Sequence, residues 1–318
     1  MIVSCGEALI DFVPAATATG EAAYVARAGG SPFNVAITIG RLGVGAGFLG
    51  GVSTDFFGDS LIVALDASAV DTRYAARTDR PTALAFVDLS SAQPRYTFYD
   101  RDAAHRCWVP VELAADVMLL HFGSLALVDG PAADGLGALM AREHGRRMLT
   151  LDPNIRPSVA GDHEEAYRAR LDAMLRLADL IKISAEDLTW LEPGADPAAV
   201  ALRWVAAGAS LVVVTAGAGG ATAFTPLHAP FHASARAVDV VDTVGAGDSF
   251  MGALLAGLTT CGVTTIDALA ALDAHTLADV MTFATDVSAI TCSRAGADPP
   301  RRDEVRLPGP RAGRKEDR

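Results

Sequence analysis

The chain has 318 residues, of which 51% are hydrophobic, and its formal net charge at pH 7 is −12. A chain of this length and composition can bury a large core, either in one α/β domain or in two smaller domains. The excess of acidic residues argues against nucleic acid or an anionic membrane as a partner.

Three features of the sequence indicate a cytoplasmic protein. The four cysteines are scattered and form no CxxC pair, as expected of reduced thiols. The N-terminus enters an apolar strand directly, without the pattern of a signal peptide. Residues 249–266 form an uncharged stretch of 18 residues, but three glycines and four threonines within it favour a buried helix and a loop over a membrane span.

The first forty residues predict a strand, a shorter strand and a helix. Residues 2–12 have the pattern of a buried strand, with Asp11 near its end, where ligands collect in open α/β sheets. Residues 24–28 alternate like a short strand. The sequence GGSPFN at 29–34 then allows a close approach of backbone to ligand before a helix of small and apolar residues. Asn34 offers a donor and an acceptor there, although taken by itself it is better explained as a plain helix cap.

Residues 45–50 read GAGFLG and match the GxGxxG pattern of dinucleotide-binding proteins. A dinucleotide site needs this pattern after a strand and at the start of a helix. Here it follows a predicted helix and leads into an apolar strand at 48–52. An NAD-dependent oxidoreductase is therefore disfavoured, and a further helix is predicted over 54–69.

From residue 81 the apolar residues recur with period two. Residues 82–88 and 95–99, joined by residues 90–94, predict a β-hairpin. Together with the strand at 24–28, the hairpin would form a small sheet that projects from the main body. Such a flap can cover a site and exclude water. Phe98 would then either face the ligand or pack within the sheet.

The remainder of the chain alternates strands with helices. The predicted strands are 117–122, 148–152, 180–183, 211–215 and 221–224, and the predicted helices are 131–144, 164–178, 185–191, 197–207, 268–272 and 275–289. This order predicts a doubly wound, mainly parallel sheet with helices on both faces. The last residues, 301–318, are rich in Pro, Arg, Asp and Glu and are expected to be loose.

The densest signal lies at residues 241–250. A strand predicted over 235–241 leads into Gly245-Ala246-Gly247, and an apolar helix follows from Asp248. Convergent backbone amides at such a helix start bind anions, and the helix dipole favours an ionised Asp248. An anion cradle beside a base is what phosphoryl transfer to a hydroxyl requires. Alternatively, Asp248 is a helix N-cap and the glycines form an ordinary turn.

Other nucleotide, metal and hydrolase motifs are missing from the sequence. No GxxxxGK[ST], HExxH, Cys/His cluster or GxSxG occurs in it. Six other motifs occur in one order: Gly6-Glu7 with Asp11, GGSPFNVA at 29–36, LDPNIR at 151–156, VTAGAGG at 214–220, DTVGAGD at 242–248 and TCSRAGA at 291–297. In order and spacing they resemble those of the ribokinase-like (PfkB) carbohydrate kinases, most closely the fructokinases.

The resemblance implies a ribokinase-like kinase domain over residues 1–300, with lid strands from about 13–30 and 81–104. It implies that Asp248 is the catalytic base and that Gly245, Ala246 and Gly247 form an anion hole for the transferred phosphoryl group. The implied sugar-binding residues are Asp11, Gly30 and Asn34. The implied residues of the nucleotide side are Lys182, Ser184, Thr215, Gly217 and Gly220. Asp242 and the carbonyl of Val244 match a monovalent-cation site, for K⁺.

The chain departs from the family's pattern at two places. The family's N-x-x-E near the metal is Ser184-Ala185-Glu186-Asp187 here, so Glu186 and Asp187 are both candidates for the Mg²⁺ side. An Asn often found near the adenine is replaced by Thr285. ATP, Mg²⁺ and K⁺ are the expected ligands, and a homodimer formed through the lid is the expected assembly.

The expected function is ATP-dependent phosphorylation of a sugar hydroxyl, with fructose as the favoured acceptor. The alternative within the family is 2-keto-3-deoxygluconate kinase, because an acidic sugar needs a cation and Arg101 and Arg156 are available. Phe98 is a further candidate for contact with the sugar. A catalytically silent sugar-binding protein is a third hypothesis, which the intact Asp248 and glycine turn disfavour.

Overall fold

The computed structural model describes residues 1–88 and 95–310. Its strands are, in chain order, β1 (Ile2–Cys5), β2 (Leu9–Ala16), β3 (Ala22–Gly29), β4 (Ala46–Ser53), β5 (Val70–Asp71), β6 (Ala75–Thr78), β7 (Ala83–Asp88), β8 (Arg95–Tyr99), β9 (Leu119–Gly123), β10 (Met148–Asp152), β11 (Leu180–Ser184), β12 (Leu211–Thr215), β13 (Ala221–Phe224) and β14 (Phe231–Ala233). Its α-helices are α1 (Ser31–Arg41), α2 (Phe56–Asp66), α3 (Gly130–Glu143), α4 (Pro157–Ala160), α5 (Glu164–Leu175), α6 (Ala185–Leu191), α7 (Pro197–Ala206), α8 (Ala246–Thr260), α9 (Ile266–Ala270) and α10 (Ala274–Cys292).

The large sheet has the strand order β14-β13-β12-β11-β10-β9-β1-β4-β5, and β6 also pairs with β4. Neighbouring strands from β12 to β5 are parallel, whereas β13 and β14 are antiparallel additions at one edge. The prediction of a doubly wound, mainly parallel sheet is confirmed. The predicted context of GxGxxG also holds, because its residues run from the end of the α1 turn into β4.

Helices cover both faces of this sheet because its strands are apolar on both sides. In β9, Leu119 belongs to the core cluster that includes residues of α1, α2, α8 and α10, whereas the next residue, Leu120, belongs to the cluster that includes residues of α3, α5, α6 and α7. Side chains alternate across a strand, so a continuous run of Leu, Ile and Val needs a layer on each face. The two layers fix α1 and α8 side by side on one face, and their N-termini point to the same edge.

The small sheet has the order β3-β2-β7-β8, with β2 and β7 parallel and the other pairs antiparallel. The predicted hairpin strands pair as expected, and the strand around Tyr24 joins the same small sheet, but it pairs with β2 rather than with the hairpin. The connection at 89–94 lies outside the described residues. Phe12 and Phe86 stack at a centroid distance of 4.7 Å on one face. Phe57 of α2 packs edge-on against Phe12 and joins the small sheet to the main body.

The prediction of one strand over residues 2–12 is wrong. The chain leaves the large sheet after β1 and enters the small sheet as β2. Between them the side chain of Glu7 is buried and accepts hydrogen bonds from the backbone amides of Ser31 (3.0 Å) and Ala126 (3.2 Å). These bonds fix the crossing between the sheets, and Asp11 consequently lies within the small sheet rather than at the end of a large-sheet strand.

The prediction of a strand over residues 235–241 is also wrong. Those residues form no strand, and Val240 and Val241 remain 64% and 63% exposed. Period-two alternation alone does not provide a partner strand, and β14 already lies earlier in the chain. The amides of Val241 and Asp242 donate to the carbonyl of Cys292 instead, which ties this segment to the end of α10.

The described part of the C-terminal segment, residues 301–310, has no regular secondary structure. Val305 and Leu307 nevertheless pack against the core on the α8 and α10 side, and the Arg302 amide donates to the Arg41 carbonyl at 2.8 Å. Residues 311–318 of the expected tail lie outside the described residues. Among the described residues, no helix has the length and apolar character needed to cross a membrane.

Candidate active site

A cleft of about 860 Å³ lies between the two sheets. One wall comprises the residues that directly follow β9, β10, β11 and β12, together with the N-terminus of α8. The other wall is the inner face of the small sheet, which comprises Leu9, Asp11, Val13, Val87, Tyr96 and Phe98. The carboxyl ends of parallel strands are the usual place for a ligand in an open α/β sheet.

The turn at the start of α8 requires glycine at positions 245 and 247. Gly245 has φ 75°, and a Cβ added to it would lie 2.5 Å from the Cβ of Ala297. A Cβ on Gly247 would lie 3.0 Å from the Lys182 ammonium nitrogen. Gly245 and Gly247 line the cleft, whereas the Ala246 amide donates to the Thr243 carbonyl at 3.2 Å. The turn therefore presents backbone rather than side chains at a helix N-terminus, which favours anions.

The carboxylate of Asp248 is buried at the floor of the cleft. Its Oδ1 accepts from Ser31 Oγ (2.7 Å) and Asn154 Nδ2 (3.1 Å), and its Oδ2 accepts from Asn34 Nδ2 (2.8 Å). Burial raises its pKa, while the bonds from Asn34 and Ser31 lower it, with a net rise. Three donors from different elements hold the carboxylate in one orientation.

A buried ion pair lies beside the glycine turn. Lys182 Nζ is 2.7 Å from Asp152 Oδ2, and both side chains are almost completely inaccessible to solvent. Burial lowers the pKa of Lys182, but the charge and hydrogen bond of Asp152, together with the charges of Asp248 and Asp187, give a net upward shift. Asp152 Oδ1 has no hydrogen-bond partner in the described part of the chain. Burial, and then the charge of Asp152, raise the pKa of Asp187 to about 6.

The predicted sugar-binding residues meet at one end of the cleft, except for Arg101. Burial, and then repulsion from Asp248, raise the pKa of Asp11 to about 7, while Arg156 opposes the shift. Gly30 has φ 108°, and an added Cβ would lie 2.6 Å from the Glu7 carbonyl oxygen. Arg156 lines the cleft with Phe98, whereas Arg101 is exposed and outside the lining.

The predicted nucleotide-side residues divide into two groups. Those that line the cleft are Lys182, Ser184, Glu186, Asp187, Thr215 and Gly217. Gly220 lies behind them, where its amide donates to the Gly217 carbonyl at 3.0 Å. Thr285 is buried in α10, outside the lining residues, and its hydroxyl donates to the Thr282 carbonyl at 2.8 Å.

The loop before α8 is closed by Asp242. Its Oδ1 accepts from the Val244 amide (3.0 Å), and its Oδ2 accepts from the Gly296 amide (2.8 Å). Both Asp242 and Val244 line the cleft. Within the described residues no group of three or more His, Cys, Asp or Glu side chains could hold a metal ion by itself.

Sequence reasoning did not single out several residues of this site. Ser31, Asp152, Asn154 and Tyr96 fall in this group, and Glu7 was noted only as part of a motif. Asp152 and Asn154 lie inside the LDPNIR motif, and Glu7 is a lone carboxylate in an apolar run, so their residue types gave a signal. Ser31 lies in the GGSPFNVA motif, but its bond to Asp248 depends on the packing of α1 against α8. Tyr96 lies in the predicted hairpin, and its position in the cleft depends on how the small sheet packs over the large one.

The chain matches the family model described as "pfkB family carbohydrate kinase" over residues 1–304. It is 41% identical to a fructokinase of Rhizobium leguminosarum bv. trifolii over 280 residues, which cover 87% of this chain and 85% of the relative.

Two solved structures show the same fold. The fructokinase of Xylella fastidiosa with bound ATP superposes with a TM-score of 0.86 at 31% identity and 93% coverage of each chain. A double mutant of the Vibrio cholerae O395 fructokinase with fructose, ADP and potassium ion has a TM-score of 0.80 at 28% identity, again with 93% coverage of each chain. The family model spans nearly the whole chain and the relatives agree with it, so the protein belongs to the pfkB family of carbohydrate kinases.

Proposed function

We propose that this protein is a fructokinase, which transfers the γ-phosphoryl group of ATP to a hydroxyl of fructose. One observation carries the proposal: the buried carboxylate of Asp248 lies in the first turn of α8, directly after the glycine turn, and both line one cleft. The R. leguminosarum relative is a fructokinase, and the two solved neighbours are fructokinases with bound ATP or with fructose and ADP. These names support fructose and ATP as the substrates.

In the proposed reaction, a hydroxyl oxygen of the sugar attacks the γ-phosphorus of ATP. The bond from the γ-phosphorus to the bridging oxygen breaks and ADP leaves, while Asp248 accepts the hydroxyl proton. The backbone at Gly245 and Gly247 faces the charge that develops on the phosphoryl oxygens. A positioned base contributes ~10²–10⁴ in rate, and one anion-hole donor contributes about 10²–10³.

The substrate-binding roles follow from position in the cleft. Asp11, Gly30, Arg156 and Phe98 would contact the sugar. Asn34 donates to Asp248 and would orient the base as well as the sugar. On the opposite side, Ser184, Thr215 and Gly217 would receive the nucleotide, with Lys182 next to the transferred phosphoryl group. Gly220 would fix the conformation of the turn that receives the nucleotide. Thr285 would have only a structural role, in α10, which packs against α8.

The donor set fits Mg²⁺. Asp187 and Glu186 line the phosphate end of the cleft, and Asp152 Oδ1 is a buried carboxylate oxygen without a partner in the described residues. Mg²⁺ at kinase sites takes few protein carboxylates, with water and phosphate oxygens completing its shell, so a small set suffices. When bound, the ion neutralises phosphate charge. Asp187 is the better placed of the two, because it is close enough to Asp152 for that charge to raise its pKa. The Ile155 amide, which donates to Asp187 Oδ1 at 3.1 Å, holds the side chain there.

One observation favours the second candidate, a 2-keto-3-deoxygluconate kinase. Arg156 lines the sugar end of the cleft and could pair with the carboxylate of an acidic sugar. The negative charge of Asp11 already acts on Arg156, however, and Arg101 lies outside the cleft. Fructose, which is neutral, therefore fits the charge of this end better.

We also propose that the protein forms a homodimer through the small sheet. Leu84, Phe86, Thr97 and Tyr99 line a hollow of about 490 Å³ on its outer face, and Tyr99 is 64% exposed. Exposed aromatic patches of this kind support protein association. Analytical ultracentrifugation of the wild type and Tyr99→Lys tests this, and a wild-type monomer at all concentrations would refute it.

The free cysteines and the use of ATP support the cytoplasm as the site of action.

A coupled assay of ADP release tests the function. The panel contains fructose, 2-keto-3-deoxygluconate, ribose and a nucleoside, each with saturating ATP and Mg²⁺. The highest kcat/KM is expected with fructose. A preference for 2-keto-3-deoxygluconate would replace the first proposal with the second, and turnover of none of them would refute both.

A further inference from the structure

Tyr96 occupies the inner face of the small sheet, opposite the floor of the cleft. It lies on β8, where it pairs with Val87 of β7. Successive side chains of a strand point to opposite faces, so Tyr96 and Phe98 face the cleft while Tyr99 faces outward. Tyr96 and Phe98 indeed line the cleft, and Tyr99 lines the hollow on the outer face of the small sheet.

Polar groups are scarce on that inner face. Of its six cleft-lining side chains in the described residues, only Asp11 and Tyr96 are polar, and the rest are aliphatic or Phe98. In a mostly apolar wall, a few placed polar groups set the orientation of a ligand. Asp11 offers a carboxyl group to a ligand there, and the phenol of Tyr96 offers a hydroxyl that can both donate and accept.

The ring of Tyr96 is held in place, but its hydroxyl is not. The ring lies nearly parallel to Phe98, at an interplanar angle of 18° and a centroid distance of 6.0 Å. The hydroxyl forms no hydrogen bond to any described residue. The more deeply buried tyrosines behave differently: the Tyr74 hydroxyl accepts from the Ala114 amide at 3.1 Å, and the Tyr167 hydroxyl donates to the Pro153 carbonyl at 3.5 Å.

The charges around the phenol show what it faces. Burial raises its pKa, Asp11 raises it further and Arg156 opposes the rise, with smaller contributions from Asp242 and Asp248. The phenol is therefore close enough to interact electrostatically with Asp11 and Arg156 at the sugar end of the cleft and with Asp248 at its floor. A tyrosine hydroxyl placed there without a protein partner is free to meet a hydroxyl of a ligand.

We propose that Tyr96 Oη hydrogen-bonds one hydroxyl of the bound hexose and makes the enzyme selective for sugars that carry it. The inference rests on the proposed function only in its choice of sugar. A site that hydrogen-bonds a substrate hydroxyl discriminates against an analogue that lacks it, because a buried polar group is then left unpaired.

The test compares wild type and Tyr96→Phe, each with fructose and with a set of monodeoxy analogues. Each analogue lacks one hydroxyl of fructose, and the set covers every hydroxyl except the one that is phosphorylated. Tyr96→Phe is expected to lower kcat/KM for fructose about 2- to 12-fold, the value of one neutral hydrogen bond. For one deoxy analogue, wild type and variant should have equal kcat/KM, because the partner hydroxyl is already absent. The KM for ATP should stay unchanged.

Tyr99→Phe is the matched control, because it removes the same hydroxyl from the opposite face of the same strand. It is expected to leave kcat/KM unchanged for every sugar. Unchanged kcat/KM in Tyr96→Phe, or an equal loss with fructose and all deoxy analogues, would overturn the proposal. If the wild type prefers another sugar, the function proposed above fails, and the same cycle with deoxy forms of that sugar still decides the role of Tyr96.

Discussion

Ser31 Oγ donates a 2.7 Å hydrogen bond to Asp248 Oδ1, across 217 positions of sequence. Ser31 is the first residue of α1, and Asp248 lies in the first turn of α8. The N-termini of two helices from opposite ends of the chain therefore meet at one carboxylate. Their dipoles favour its ionised form, while burial favours the protonated form. The balance leaves a fixed carboxylate with a raised pKa, as a general base requires.

The first prediction concerns the base. Asp248→Asn keeps a similar shape but cannot accept the proton, so kcat should fall by ~10²–10⁴. Binding of an ATP analogue and of fructose, measured by calorimetry, should be largely retained. Ser31→Ala keeps the carboxylate and loses one of its bonds, so its kcat should fall far less. Near-wild-type turnover in Asp248→Asn would remove Asp248 from the mechanism.

The second prediction concerns the buried pair next to the glycine turn. Lys182→Met leaves Asp152 buried without its partner and should lower the free energy of unfolding by about 3–5 kcal/mol. The double variant Lys182→Met/Asp152→Leu removes both charges and should recover most of that loss. Its kcat should remain low, because both the ammonium next to Gly247 and the Asp152 carboxylate proposed for Mg²⁺ are missing. Urea unfolding and the ADP assay measure the two effects separately.

Arg176 and Asp172 provide the control for this experiment. They form an ion pair at 2.6 Å on the surface, with side chains 71% and 65% exposed. Arg176→Met should change the free energy of unfolding by less than about 1 kcal/mol, because water screens the pair. Equal losses in Lys182→Met and Arg176→Met would show that burial of the Lys182 pair does not matter.

The third prediction concerns the pH dependence of stability. The pKa of Asp11 is about 7 in the folded protein, against ~3.9 in an unfolded chain. The folded state thus holds the proton more tightly, and this contribution to stability is lost as pH rises from about 4 through about 7. Asp11→Asn is neutral at every pH. Its Tm relative to wild type should therefore be higher at pH 8 than at pH 5.

Thermal melts at the two pH values check this, with Asp303→Asn as an exposed control. Asp303 lies on the surface of the C-terminal segment, so its variant should show almost the same Tm difference at both pH values. The same relative Tm for Asp11→Asn at pH 5 and pH 8 would contradict the raised pKa of Asp11.

The sequence predicts the layered fold and the chemistry at the start of α8, because both depend on local patterns. The alternation of apolar strands with helices requires a covered parallel sheet, and a glycine turn before a carboxylate is readable within a few residues. The encounter of Asn154 with Asp248, 94 positions apart, is not readable, because it depends on the order of strands in the sheet.

The two wrong strands have a common cause. Periodicity reports which face of a segment is apolar, but it does not report which neighbour the segment has. Residues 2–12 keep one pattern while passing from one sheet to another, and residues 235–241 alternate without a partner strand. The position of Thr285 on a helix face that does not line the cleft is invisible for the same reason: it depends on the rotation of α10 against α8.

The last prediction concerns a monovalent cation at Asp242. Both of its carboxylate oxygens accept backbone amides, from Val244 and from Gly296, so the side chain already orders the loop that leads to the anion hole. A cation bound by Asp242 and the Val244 carbonyl would stabilise the same loop. Such ordering acts on the transition state, so K⁺ should raise kcat more than it changes the KM for fructose.

Turnover is to be measured in K⁺ and in tetramethylammonium at matched ionic strength, because screening alone changes rates. Asp242→Asn keeps one acceptor oxygen for the loop but loses the charge, so it should lower kcat and reduce the difference between the two salts. Asp303→Asn alters an exposed carboxylate outside the cleft lining and should keep the full difference. If wild-type kcat is identical in both salts, Asp242 is a turn residue, whose bonds to the two amides account fully for its place before α8.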